Sequence, residues 1–242
     1  YSPDREPVKF AIVMLGISGS DRFTDLFLIL GGHEEFTKYA AVALANALPP
    51  PQARNAQVKL AKRVKGWGRI DLVERLASDA DDAFRHWLVR DGFKNSIMYE
   101  YLACIAAREG KLLEQLSRPE AGSDMALLDG AAEIFEALVN GGPAEDMRHY
   151  EEGATAVQRW LDLIDAQPPT LLRASAARKL LDFAARGENP WDAETSTEIR
   201  SRATAYIARP ELRGLVKRGL ETGTRLDYWH AKSLAAHVDI DA

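Results

Sequence analysis

Apolar residues recur three and four positions apart along almost the whole chain, and this spacing constrains the fold more than any other feature of the sequence. Phe23, Phe27 and Leu30 form one such stripe. Later stripes are Met98, Tyr101, Leu102 and Ile105; Leu127, Leu128, Ala131, Phe135 and Leu138; Val157, Trp160, Leu161 and Ile164; and Ile199, Ala203, Tyr206 and Ile207. Such spacing buries one face of a helix. No alternating run of β-branched and aromatic residues bounded by turns occurs, so the sequence predicts an all-α fold.

Glycines follow many of these stripes, where the end of a helix favours a left-handed residue. Thr195 and Glu198 have the spacing of a capping box, which predicts a helix start at that point. Pro210 suits the first turn of the next helix. Together these signals divide the chain into about twelve to fourteen helices joined by short connections.

The predicted helices come in pairs. The pairs are 21–31 with 34–48, 81–92 with 95–108, 111–117 with 124–140, 147–165 with 170–186, and 211–222 with 225–238. One pair cannot bury both of its faces alone, so repeated pairs at this spacing predict a stack. We therefore expect one domain over residues 1–242, an α–α superhelix or solenoid of about five to seven helix pairs. A compact helical bundle is the alternative architecture.

Three stretches resemble HEAT repeats, in which a short helix, a tight turn and an alanine-rich second helix follow one another. They are DRFTDLFLILGGHEEFTKYAAVALANAL, DDAFRHWLVRDGFKNSIMYEYLACIAA and PELRGLVKRGLETGTRLDYWHAKSLAAHV. None of the three keeps the full set of a proline in the first helix and Asp and Arg in the second. The resemblance covers most of the chain and points to the HEAT-like class rather than to one member of it.

The resemblance implies a non-catalytic scaffold or adaptor that binds a protein or peptide on the concave face formed by the second helices. A nucleic-acid-binding protein is the alternative, since one class of DNA glycosylase is built from similar repeats. The chain carries 31 basic and 36 acidic side chains, for a net charge of −5. This balance disfavours a nucleic-acid partner, which usually requires a basic excess.

Motifs that carry catalysis are missing from the sequence. The five histidines form no His-x3-His or HExxH pattern, and neither a phosphate-binding glycine loop nor a serine elbow occurs. The longest apolar run, residues 10–15, is far too short for a membrane span. A single cysteine, Cys104, lies in an apolar helical pattern, which is typical of a small buried side chain. We therefore expect no enzyme, metal site or cofactor, no membrane partner, and a cytoplasmic location.

Charge is segregated along the chain. Residues 36–70 hold seven basic residues and no acidic one, whereas residues 119–165 hold eleven acidic residues and two basic ones. Like-charged blocks of this size repel themselves, so a binding role for part of them is a reasonable expectation.

Two sets of candidate partner-binding residues follow from this segregation. Lys62, Lys65 and Arg69 share one face if a single helix runs through residues 66–68, and Trp67 lies among them. Asp129, Glu133 and Glu136 share a face of a second helix. Such faces could bind partners of opposite charge, or they could be solvated outer surfaces with the tryptophan packed inward.

Overall fold

A computed structural model of the protein describes residues 4–238, and this part of the chain contains helices and no strand. The prediction of an all-α fold is therefore confirmed. The helices are α1 (Arg5–Ile17), α2 (Thr24–Leu30), α3 (Glu34–Ala47), α4 (Pro50–Arg63), α5 (Gly66–Ala77), α6 (Asp82–Trp87), α7 (Glu100–Glu109), α8 (Leu112–Leu116), α9 (Met125–Asn140), α10 (Gly153–Asp165), α11 (Leu171–Ala184), α12 (Ala193–Ile207), α13 (Pro210–Thr222) and α14 (Arg225–Leu234).

Six of these helices pack one on the next in a row, here called the central row. It runs α3, α5, α7, α9, α11 and α14, and α1 packs on α3 at its beginning. The helices that lie between them in sequence, including α4, α8, α10, α12 and α13, pack against members of the central row. Several connections are only two residues long, and the helices that they join, such as α3 with α4 and α13 with α14, pack against each other.

The buried side chains form one continuous apolar cluster that extends from Ile12 in α1 to Ala235 beyond α14. Trp160 is fully buried, packs edge-on against Phe135, and donates its indole N–H to the carbonyl oxygen of Leu128 at 3.0 Å. A buried indole needs such a partner, because an unpaired N–H in an apolar core costs about 1–3 kcal/mol. The bond ties α10 to α9.

Several helix boundaries differ from those expected from the sequence. The second half of the predicted helix 81–92 is a π-helical turn, Leu88–Gly92. Helix α7 begins at Glu100 and not at Asn95, because the Asn95 side chain accepts the N–H groups of Ile97 and Met98 and holds a turn there. The predicted helix 147–165 starts with a 3₁₀ turn, and α10 begins only at Gly153.

The capping box predicted at Thr195 and Glu198 is also wrong. Helix α12 begins two residues before Thr195, at Ala193, and its N-cap is Asp192. The Asp192 carboxylate accepts the N–H of Thr195 at 2.7 Å. An aspartate is at least as good an N-cap as threonine, so the helix extends to include it.

Two glycines allow neighbouring helices to approach closely. A Cβ atom on Gly130 of α9 would overlap the carbonyl oxygen of Val89 in the π-helical turn. A Cβ atom on Gly68 of α5 would overlap the hydroxyl group of Thr37 in α3. At Gly130 the backbone of α9 therefore lies against the backbone of the π-helical turn, and at Gly68 the backbone of α5 lies against a side chain of α3.

Cys104 lies in α7 and is buried, as the sequence predicts. Burial raises the pKa of its thiol to about 11, so the side chain stays protonated and acts as a small apolar residue. Within residues 4–238, no helix is long and apolar enough to cross a membrane.

Candidate functional site

The turn between α4 and α5 interrupts the helix on which the sequence would place the basic residues. Helix α4 ends at Arg63, and α5 begins at Gly66, which has a positive φ of 64°. The single helix that would place Lys62, Lys65 and Arg69 on one face is therefore not formed. The sequence hypothesis fails here because the spacing of these residues is helical, while the left-handed glycine between them breaks the helix.

Arg69 is buried and holds this turn together. Its guanidinium donates to the carbonyl oxygen of Val64 at 2.9 Å and to that of Lys94 at 2.7 Å. It also donates to the carbonyl oxygens of Lys62 and Asp91, each at 3.3 Å. Burial lowers the pKa of Arg69, and the nearby carboxylate of Asp91 opposes this effect. Because these carbonyl oxygens take four of its five N–H groups, Arg69 is a structural residue of the turn.

Trp67 faces solvent on the opposite side of the turn from these bonds. Its side chain is 52% exposed, so the interpretation that it packs inward is wrong. The indole packs edge-on against Tyr101 of α7, with ring centroids 5.0 Å apart. Its backbone N–H donates to the carboxylate of Glu34 at 3.3 Å. This carboxylate lies at the positive N-terminal end of α5, where an anion is stabilised.

The exposed indole forms one wall of a groove of about 520 Å³ on the central row. Helix α3 contributes Glu34, Glu35, Lys38 and Tyr39; α5 contributes Trp67, Ile70, Asp71 and Glu74; and α7 contributes Tyr101. Four carboxylates, one ammonium group and three aromatic rings therefore surround the same space. We call this space the acidic groove.

The four carboxylates of the acidic groove differ in how well they are neutralised. Glu35 is paired with Lys9 at 3.2 Å and with Arg5 at 3.0 Å, and the bond from Lys9 is the main cause of its lowered pKa. Asp71 is paired with Arg75 at 3.2 Å.

Glu74 has no ion-pair partner among the described residues. Partial burial, together with the nearby carboxylate of Asp71, raises its pKa. A cation placed in the acidic groove would relieve this repulsion.

A second, more apolar cavity of about 380 Å³ adjoins the acidic groove and shares Lys38 and Tyr39 with it. Its other walls come from Val13 and Ile17 of α1 and from Val42 of α3, all of which are more than a third exposed. An acidic surface thus continues into an apolar one along α3.

On the other side of the turn, the remaining basic residues line a separate pocket of about 460 Å³, here called the basic pocket. Lys62 and Lys65 are brought together there with Lys94, which precedes α7. Ser96 and Tyr99 also line it, along with Arg69, Asp91 and Asn95. Trp67 lies outside the basic pocket, so the predicted basic ridge with a tryptophan at its centre is divided between two surfaces.

The acidic residues predicted on α9 do share a face, but this face packs against neighbouring basic side chains. Asp129 accepts a hydrogen bond from the buried guanidinium of Arg173 at 2.7 Å. Glu133 lies 2.5 Å from the ammonium group of Lys94. Burial raises the pKa of Glu133 in spite of this pair.

Glu136 is similarly occupied. It accepts the Ser175 hydroxyl at 2.7 Å and lies 3.5 Å from the ammonium group of Lys179. The acidic stripe on α9 is thus largely neutralised within the molecule, and its role in binding a partner stays a prediction.

No protein-family model matches this sequence, and neither a curated protein nor a solved structure is similar to the chain. The site is therefore interpreted from its own geometry. In the described part of the chain, no three His, Cys, Asp or Glu side chains come together in a way that could hold a metal ion.

Sequence reasoning missed several residues of these two surfaces. Tyr101, Glu34 and Glu74 belong to the acidic groove, and Lys94 completes the basic pocket. These residues come from different helices, so no local pattern joins them. The one available signal was Gly66-Trp67-Gly68, in which a tryptophan between two glycines indicates a turn that exposes it.

Proposed function

We propose that the chain is a non-catalytic binding module of the HEAT-like solenoid class, and that its acidic groove takes a peptide segment carrying a lysine or arginine. The observation that supports this proposal most strongly is the exposed Trp67, packed against the partly buried Tyr101 and lining the same groove as Glu74. Aromatic rings and carboxylates that converge on one concave space suit a cationic side chain with an apolar stem.

The arrangement of helices supports the architectural part of the proposal. Four members of the central row, α3, α5, α9 and α14, each pack on the helix that precedes them in sequence, as the second helices of pairs do. In a solenoid these helices line the inner surface, which is extended and able to follow a peptide.

The energetics favour a cation over other ligands. A guanidinium or ammonium group over an indole contributes about 0.5–2 kcal/mol, depending on how far water is excluded. Glu74 adds an unneutralised carboxylate on the same wall. The adjoining cavity beside Val13, Ile17 and Val42 offers space for an apolar residue of the same peptide.

A peptide array tests the proposal. The purified chain is applied to short synthetic peptides that differ in their content of arginine, lysine, glutamate and leucine. We expect retention of peptides that combine a basic residue with an apolar one. The double variant W67A/E74Q should lose this retention by at least about tenfold, equivalent to 1.4 kcal/mol.

A matched control variant distinguishes binding in the acidic groove from nonspecific binding of peptides to exposed tryptophan and carboxylate side chains. W229A/E221Q removes a tryptophan with similar exposure, 55%, and an exposed carboxylate from α14 and α13. It should bind the array as the unaltered chain does. Absence of any charge preference, or equal loss in both double variants, would overturn the proposal.

A nucleic-acid partner is the alternative function, and the acidic groove argues against it. Phosphate groups would be repelled by its four carboxylates, against one ammonium group. Basic residues gather instead in the basic pocket, which is too small a surface to follow a nucleic-acid backbone over several phosphates.

A further inference from the structure

The basic pocket gathers four basic side chains, and two of them, Lys62 and Lys65, make no ion pair within residues 4–238. We propose that it binds a phosphate monoester group. The pocket is separate from the acidic groove, so this inference does not depend on the peptide-binding function proposed above. The two surfaces lie on either side of the turn at Gly66.

Lys62 and Lys65 carry the free charge of the basic pocket. Neither takes part in an ion pair within residues 4–238, and both are exposed. The ammonium group of Lys62 lies 5.7 Å from the centroid of the Trp87 ring, which orients it without neutralising it. Two unpaired ammonium groups three residues apart repel each other, and a dianion between them removes this repulsion.

Lys94 supplies a third ammonium group to the pocket. This group also forms an ion pair with Glu133 of α9. The one carboxylate that lines the pocket, Asp91, lies 3.7 Å from the guanidinium of Arg69. Arg69 therefore offsets the repulsion that Asp91 would exert on an anion. The lining residues keep a clear positive excess even with this carboxylate included.

Neutral hydrogen-bond donors complete the pocket. The hydroxyl groups of Ser96 and Tyr99 line it and make no hydrogen bond to any other described residue. The Ser96 hydroxyl oxygen lies 3.5 Å from the position that a Cβ atom on Gly66 would occupy. The loop before α7 and the turn before α5 therefore face each other at this point, and the carboxylate of Glu34 lies on the same side of Gly66.

These donors suit a phosphate group better than a carboxylate. The only arginine in the pocket, Arg69, has its guanidinium occupied by backbone carbonyls, so the planar, bidentate geometry that favours carboxylates is not available. Lysines act as point charges, and a doubly charged, tetrahedral anion gains most from several of them.

The aromatic rings at the pocket argue against a nucleic-acid ligand. Single-stranded nucleic acids bind where exposed rings stack on bases. Here the Trp87 ring lies near both Lys62 and Arg69, and the Tyr99 ring packs edge-on against Phe93. The pocket thus offers charge without a stacking surface, which fits a phosphate on a peptide side chain or on a small molecule.

Calorimetric titration with O-phosphoserine tests the inference, with serine as the probe that differs only in lacking the phosphate group. We expect O-phosphoserine to bind and serine not to bind. The variant K62Q/K65Q should weaken binding by at least about tenfold. The control K59Q/R63Q removes the same charge from exposed positions of α4 that do not line the pocket, and it should retain the affinity within about twofold.

A third variant guards against loss of folding as an explanation. D91N removes the one lining carboxylate and should strengthen binding of O-phosphoserine. Failure of the unaltered chain to bind O-phosphoserine, or equal weakening in K62Q/K65Q and K59Q/R63Q, would overturn the inference.

Two further titrations identify the source of the phosphate. A phosphoserine peptide that binds at least about tenfold tighter than O-phosphoserine indicates a phosphorylated protein partner. Equal affinities indicate a small phosphorylated molecule, and either result supports the phosphate site. A single-stranded oligonucleotide that binds more tightly than both, and is lost in K62Q/K65Q, would overturn it in favour of nucleic acid.

Discussion

Four backbone carbonyl oxygens converge on the guanidinium of Arg69, two from the end of α4 and two from the segment that leads into α7. No other side chain type could reach all four, because only arginine carries five N–H donors in a fixed plane. This single residue holds together the turn that places Trp67 in the acidic groove and Lys65 in the basic pocket.

Replacing Arg69 by lysine should therefore destabilise the protein although it keeps the charge. A lysine ammonium group can satisfy only part of the carbonyl set, and we expect a loss of about 2–4 kcal/mol. For a chain of this length this corresponds to a fall in Tm of roughly 5–15 °C. Thermal unfolding followed by circular dichroism measures it, and a Tm within about 2 °C of the unaltered protein would contradict the structural role.

Glu74 gives the peptide-binding proposal a pH dependence. Its pKa is raised in the free protein, with partial burial as the main cause and Asp71 as the second. A bound cation would favour the ionised form and lower that pKa. Affinity for a basic peptide should therefore be full above the raised pKa and should fall as the pH drops through it.

Titrations at constant ionic strength across this range measure the effect, and E74Q should bind more weakly and with a flatter pH profile. Affinity that stays constant as the pH falls would show that Glu74 does not contact the cation.

At the scale of elements, α9 can approach the π-helical turn closely only because Gly130 has no side chain. Gly130 touches the backbone at Val89, and α9 then presents Glu133 to Lys94. We expect G130A to destabilise the protein by about 1–3 kcal/mol, because the new methyl group meets backbone that cannot move aside.

Gly187 provides the matched control. A Cβ atom there would meet nothing within 4 Å, and G187A should leave the stability unchanged or increase it slightly. Chemical denaturation of both variants measures the difference. Equal stabilities of G130A and G187A would contradict the close packing of α9 on the turn.

The sequence predicts most of these elements, since the apolar stripes that indicate helices are local. The ends of α3, α9 and α13 lie within a residue or two of the expected boundaries. The break between α4 and α5 was not predicted, because three- and four-residue spacing of Lys62, Lys65 and Arg69 continues across it. The helix breaks there because Gly66 has a left-handed backbone conformation. The carboxylate of Glu34, from another helix, stabilises the break by accepting the backbone N–H of Trp67.

The pairing of charges could not be predicted from the sequence for a different reason. Asp129 and Glu133 form a helical stripe that reads as a free acidic face. Their partners, Arg173 and Lys94, are about forty positions away in the sequence and come into contact only when the central row forms. Local charge patterns do not distinguish a solvated stripe from one that faces a basic neighbour.

For the whole molecule, the central row converts segregated charge in the sequence into two adjacent surfaces of opposite character. The acidic residues Asp129 and Glu136 of α9 pair with α11, whereas Glu74, which makes no ion pair within residues 4–238, lies in the acidic groove on α5. From the basic block of the sequence, Arg69 stabilises the turn by hydrogen bonds to backbone carbonyls. Lys62 and Lys65 of the same block line the basic pocket and make no ion pair within residues 4–238. Function is therefore expected at the turn between α4 and α5.

The most direct test of that expectation is a double-mutant cycle on a peptide selected from the array. One partner change is W67A in the protein, and the other replaces the basic residue of the peptide by its uncharged isostere, citrulline for arginine or norleucine for lysine. If the cation lies over the indole in the acidic groove, the four dissociation constants give a coupling energy of about 1 kcal/mol or more. A coupling energy below about 0.3 kcal/mol would show that the two groups do not meet and would contradict the account.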